Sequence, residues 1–209
     1  MRVVGEREAE QFLEKQGFPV SSRMVSSSFF VCKDFAHKVG YPVAAKVVSD
    51  KIVHKSDVGG VILNIHSDVE LKVAFDKLMK IRTAQGVMVE PFSAGVCLLL
   101  GLKYDVTFGH TLVVGWGDIY TEVLKDVALR LCPVDEKVAL QMLEELKVFK
   151  LLQGVRGSVK ADLKKIVKVM VKLSELPKKF PQIRELDINP LLVHGSSLRI
   201  VDARMVVNE

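Results

Sequence analysis

Apolar positions along this chain follow two periods that alternate from segment to segment. From Glu6 to Gln16 they recur at helical spacing, with Phe12 and Leu13 on the inward side and Gly17 as the stop. Phe29 to Val39 reads as a second helix, closed by Gly40. Pro42 to Val48 is a run of small and β-branched residues of strand length. Gly60 to Ile65, Val87 to Glu90, Val96 to Lys103 and Thr111 to Trp116 are further apolar strand segments. Ser67-Asp-Val-Glu70 is a capping-box pattern ahead of a helix whose inner side is Leu71, Ala74, Phe75 and Leu78. Asp135 is placed to cap a helix carrying Val138, Met142 and Leu146. In 161–174, Leu163, Ile166, Val167, Met170 and Leu173 keep helical spacing while Lys164, Lys165, Lys168 and Lys172 take the other faces. Helices interleaved with apolar strands predict a layered α+β (α/β) fold and argue against a bundle or a sandwich.

Lys46 interrupts the strand from Pro42 to Val48. An ammonium there must sit at a sheet edge with its head in water or meet an anion, because burying it unpaired costs several kcal/mol. After the strand come His54, Lys55, Ser56, Asp57, Gly59 and Gly60. Residues without side chains let backbone N–H groups approach phosphate oxygens closely, so these are parts from which a phosphate site is built. Taken alone they fit equally an edge-strand lysine and a solvated loop histidine.

Near the C-terminus, Glu185 to Asp202 reads as two strands joined at Gly195-Ser196, a pair suited to a type II′ turn. That turn sets His194 against Ser197, Val193 against Leu198, Leu191 against Ile200, Asn189 against Asp202 and Asp187 against Arg204. An amide oxygen and a carboxylate then stand side by side, their Cβ atoms roughly 5 Å apart. Two protein oxygens, completed by water and phosphate, are the usual holding of Mg²⁺ at nucleotide sites. An ordinary surface hairpin is the alternative, and a one-residue slip would send Asn189 and Asp202 to different faces.

The 209 residues are enough for a substantial core in one or two units, and 49% hydrophobic with 26% charged content is ordinary for a globular protein. Cys32, Cys97 and Cys132 are an odd count at unrelated spacing, which indicates neither a disulfide framework nor zinc. The N-terminus carries charges where a signal peptide needs its apolar core, and no run approaches membrane length, so a cytoplasmic location is expected. A net charge of +5 raises nucleic acid as a partner, but aromatics are only 7% and no nucleic-acid motif is present. The lysines of 161–174 belong to a solvated helix face, which at most favours polyanionic ligands.

Six segments in order, GYPVAAKVVS, IVHKSDVGGV, VEPFSAGV, TEVLKDVALRLCPVD, LLQGVRG and ELDINPLLV, make the chain resemble the ATP-grasp β subunit of ADP-forming acetyl-CoA synthetases, the NDP-forming acyl-CoA synthetase family. The resemblance spans nearly the whole chain. It implies an ATP-grasp fold in which two subdomains hold the nucleotide in the cleft between them. The expected parts are an N-terminal helix over 1–18, an N-terminal subdomain over 19–90 and a C-terminal subdomain over 91–209, with a hinge near Met88 to Ser93 where Pro91 stops a strand. It also implies a ligase that makes ATP from Mg-ADP through phosphohistidine, with a separate α subunit carrying the CoA-binding and CoA-ligase domains.

By the same resemblance Lys46 contacts the nucleotide phosphates, and Val89, Glu90 and Pro91 form the hinge facing the adenine amino group and ribose. His54 is the phosphoryl acceptor, with Asp57 a candidate to orient its ring, since an imidazole aiming one nitrogen at phosphorus needs an acceptor for the other. Gly59 and Gly60 line the phosphates, Arg130 and Arg156 are phosphate ligands, and Asn189 and Asp202 hold Mg²⁺. Glu122, Lys125 and Asp126 share a motif with Arg130. Cys97, Asp118 and Gln153 depart from the family pattern, which often has a carboxylate, a glycine and an arginine there. Two other classes fit these residues: a stand-alone ATP-grasp carboxylate ligase, which needs no phosphohistidine, and a diverged non-catalytic nucleotide-binding subunit.

Overall fold

The structure is a computed structural model that describes residues 1–52, 55–117, 126–155 and 159–208. The chain divides into two compact units, one of Ser21–Ala94 and one of Met1–Val20 with Gly95–Glu209.

The smaller unit holds β2 (Met24–Ser26), α2 (Phe29–Val39), β3 (Val43–Val48), β4 (Val61–Ile65), α3 (Asp68–Met79) and β5 (Gly86–Pro91). Its four-stranded sheet has the order β2-β5-β3-β4, antiparallel throughout. Strand alternation sends Val43, Ala45, Val47, Val87 and Val89 to one face, where they pack with Cys32 and Ala36 of α2 and Leu71, Ala74 and Leu78 of α3. The other face of β3 and β5 therefore carries Ala44, Lys46, Met88 and Glu90. The Ser67 hydroxyl caps α3 by accepting from the Glu70 N–H, as the sequence pattern predicts. The Glu70 carboxylate reaches one residue further back than a capping box requires, accepting from the His66 N–H at 2.8 Å.

The larger unit holds β1 (Arg2–Val4), α1 (Glu6–Lys15), β6 (Val96–Asp105), β7 (Gly109–Trp116), β8 (Val127–Leu131), α4 (Glu136–Glu144), α5 (Phe149–Leu152), α6 (Leu163–Lys179), β9 (Ile183–His194), β10 (Ser197–Ile200) and β11 (Ala203–Val207). Its seven-stranded sheet runs β1-β11-β9-β6-β7-β8, with β10 also on β9. Leu98, Leu100, Leu102, Leu112, Val114, Leu186 and Ile188 form the inner face, packed against Leu13, Met142, Leu143, Ile166, Met170 and Leu173 of the helices.

The N-terminal segment is not a separate part, as the expected division at residue 18 has it. β1 pairs with β11, Val4 opposite Met205, and Ala9 and Leu13 of α1 are fully buried in the larger core. Pro91 does end β5, as its last paired residue opposite Val43, and the unit boundary falls a little later, after Ala94. Among the described residues, no helix is long and apolar enough to cross a membrane.

Candidate functional site

Lys46 lies on β3, which has neighbours on both sides, so water at a sheet edge is not its solution. It meets an anion instead. Its Nζ is 2.6 Å from Glu90 Oε1, and the two side chains are 9% and 4% exposed. The register explains the pairing: Ala44 faces Glu90 and Lys46 faces Met88, so lysine and glutamate are diagonal neighbours on one face of adjoining strands. Val89, one residue earlier, points into the core with no exposed surface, so only its backbone can serve a ligand.

Ser56–Val58 forms one 3₁₀ turn, which Gly59 ends at φ 64, in the left-handed region that favours glycine. The Gly59 N–H donates to Ser56 O at 3.1 Å, and the Gly60 N–H donates to Lys55 O at 2.7 Å. Both donors are engaged inside the turn in this structure. Gly60 is required for packing, since a Cβ there would lie 2.6 Å from Val47 Cγ1. Asp57 is exposed on the same turn. His54 lies outside the described residues.

At the C-terminal hairpin the expected register holds along its length: His194 faces Ser197, Leu191 faces Ile200, Ile188 faces Ala203 and Asp187 faces Arg204. Gly195 has φ 57, and Ser196 is not among the residues of positive φ, which suits a type II′ turn. Asn189 and Asp202 oppose each other, the Asn189 N–H donating to Asp202 O at 3.2 Å. They sit at an irregularity. On β6, Leu98 pairs with Leu191 and Leu100 with Ile188, so Asn189 and Pro190 together oppose Leu99, which makes a bulge of the kind that re-aims side chains beside active sites.

Asp202 Oδ1 is buried and has no hydrogen-bond partner among the described residues. The Asp187 carboxyl is held above the usual carboxylate range, first by desolvation and then by the negative charge of Asp202. Arg204 acts against this and Glu185 adds to it. Asp187 keeps exposed surface, so the charge of Asp202 is the cause that bears on the site. An orphaned carboxylate oxygen, a facing amide and a nearby repelled carboxylate fit a hard cation. The described residues contain no cluster of three His, Cys, Asp or Glu side chains suited to a metal, so such a cation would need oxygens from a ligand and water.

Arg130 is placed elsewhere. It shares with Ala128 the helix-covered face of β8, forms an ion pair with Glu145 at the end of α4, and donates to Leu129 O at 2.8 Å. Asp126, whose role the sequence left open, is structural. It is 7% exposed, and its two oxygens accept from the Lys147 and Val148 N–H groups at 2.9 and 3.0 Å. Asp126→Ala is expected to cost about 3 kcal/mol in a urea titration, because two charge-assisted acceptors are lost together. Arg156, Asp118, Glu122 and Lys125 lie outside the described residues, and Gln153 is exposed at the end of α5. The Lys46–Glu90 pair was missed from sequence; its one signal is that both residues fall on the non-core phase of their strands.

An ATP-grasp domain model matches residues 1–207. The chain is 36% identical over 216 residues to acetate–CoA ligase (ADP-forming) I subunit beta of Pyrococcus furiosus, covering 99% of this chain and 92% of that one. It is 38% identical over 205 residues to acetate–CoA ligase (ADP-forming) II of Archaeoglobus fulgidus, covering 98% of this chain but only 30% of that protein. The chain therefore spans under a third of that longer relative. Among solved structures, acetyl-coenzyme A synthetase 1 of Ca. Korarchaeum cryptofilum, in complex with coenzyme A, Ca-AMPCP and HgCl+, superposes with a TM-score of 0.90 at 32% identity, covering 99% of this chain and 94% of that one. A form with coenzyme A and Mg-AMPPCP, its phosphohistidine segment pointing towards the nucleotide binding site, gives 0.85 at 32% identity, covering 99% and 93%.

Proposed function

This chain belongs to the ATP-grasp family, and on that premise we propose that it is the nucleotide-binding β subunit of an ADP-forming acyl-CoA synthetase. The observation that carries the reading is the facing pair Asn189 and Asp202, with a buried carboxylate oxygen left without a hydrogen-bond partner. Asn189 and Asp202 would hold Mg²⁺, which when bound neutralises charge on the polyphosphate. Lys46 donates to nucleotide phosphates, the Val89 backbone and Pro91 receive the base and sugar, and Arg156 is a further phosphate ligand.

His54 is the phosphoryl acceptor. In the direction of ATP synthesis its P–N bond breaks as a β-phosphate oxygen of ADP forms the new P–O bond, leaving the imidazole neutral. Asp57 holds the proton on the ring nitrogen that does not face phosphorus. Positioning and charge neutralisation supply most of such a transfer.

A separate α chain is proposed to carry the CoA-binding and CoA-ligase domains, which fits the chain's 92% share of a β subunit against 30% of a longer ligase. A reducing cytoplasm suits the free thiols, two of which burial makes unreactive, pushing Cys32 up to about 11 and Cys132 to about 12. The test is incubation with γ-labelled ATP, Mg²⁺ and the partner chain. Acid-labile, base-stable label is expected on this chain and is expected to vanish in His54→Asn. Nucleotide bound without label would instead identify a non-phosphorylating subunit or a carboxylate ligase.

A further inference from the structure

We infer that Glu90 acts on a bound nucleotide through Lys46, as the counter-ion that fixes the ammonium, and not by touching the sugar itself. The inference rests on the nucleotide reading above and gives Glu90 a different task within it. Its carboxylate lies 2.6 Å from Lys46 Nζ, with both side chains nearly excluded from water. The diagonal register makes this contact a product of the sheet: Ala44, directly opposite Glu90, is too small to fill the space across which the carboxylate reaches Lys46.

Three consequences follow from the chemistry of the pair. A lysine side chain carries about 2 kcal/mol of rotamer entropy, and pinning its head before a ligand arrives removes that cost from the binding step. An ammonium has three donors, so it can keep its contact with Glu90 and still donate to a phosphate oxygen. The pair is neutral as a unit, so Lys46 works as an aimed donor more than as a free charge that draws in any polyanion.

Glu90→Gln keeps the shape and a hydrogen-bond acceptor but removes the counter-charge. The expected result splits binding from chemistry. The Kd for Mg-ATP should change by less than about tenfold, because the ordering cost returned to the binding step is offset by the positive charge that is unmasked. The single-turnover rate of phosphoryl transfer should fall about tenfold or more, because the donor is no longer aimed. The ratio of Kd values for ATP and 2′,3′-dideoxy-ATP should be the same in wild type and variant. Loss of that discrimination in Glu90→Gln would mean that Glu90 touches the ribose, and an unchanged transfer rate would mean that it aims nothing; either overturns the inference. A circular dichroism melt checks the fold, and if Glu90→Gln does not fold, Glu90→Asp carries the same comparison. Wild-type protein that binds no Mg-ATP would sink the nucleotide reading itself, and the inference with it, before any variant is compared.

Discussion

Asp202→Ala is expected to weaken binding of Mg-AMPPCP by about a hundredfold or more while leaving the fold as stable as before or slightly more so. Even residues that only support a metal ligand are worth 10- to 100-fold, and a direct ligand should exceed that. The stability half of the expectation comes from the geometry. Asp202 Oδ1 is buried without a partner, so in the empty protein it is a cost that alanine removes. Removing its charge also relieves Asp187, whose carboxyl is then expected to titrate nearer the ordinary carboxylate range. A side chain kept for packing would show the reverse, a loss of stability with little change in affinity. Equilibrium dialysis alongside a urea titration separates the two.

Lys46→Met carries the largest expected effect on stability. It strands Glu90, 3% exposed on an interior strand, and breaking a buried pair from one side typically costs about 3–5 kcal/mol. The double variant Lys46→Met/Glu90→Gln should recover most of that loss, since the stranded charge, more than the missing contact, is what destabilises. It should not recover nucleotide binding, for which the ammonium itself is needed. Urea midpoints of the two variants measure the first point. A cost below about 1 kcal/mol for Lys46→Met, the range of solvated surface pairs, would mean that the pair is not desolvated.

What could be read from the sequence is what depends on neighbouring residues. Helix α2 was legible to the residue because Gly40 ends it, and the hairpin register was legible because a two-residue turn at Gly195-Ser196 fixes every pair on either side. The candidate metal pair came with that register. Partners distant in sequence were not legible. The Lys46–Glu90 pair needs β3 beside β5, 38 positions away at closest pairing in neither strand's own pattern, and β1 needs β11 at the opposite end of the chain. The turn at Gly59 and Gly60 was not legible because glycine serves a tight turn and a phosphate cradle equally well, and the turn's own hydrogen bonds show only in the structure. The surroundings of Arg130 were hidden for a similar reason: its motif says nothing of which face of β8 it takes, and alternation with Ala128 turns it towards Glu145.

The most direct measurement is a crystal of the protein grown with Mn²⁺ and AMPPCP, with the cation located by its anomalous signal. The expected result is a peak bridging side-chain oxygens of Asn189 and Asp202 and the nucleotide phosphates, with Lys46 Nζ donating to those same phosphates. A cation bound away from the hairpin, or a nucleotide seated without contact to Lys46, would contradict the assignment.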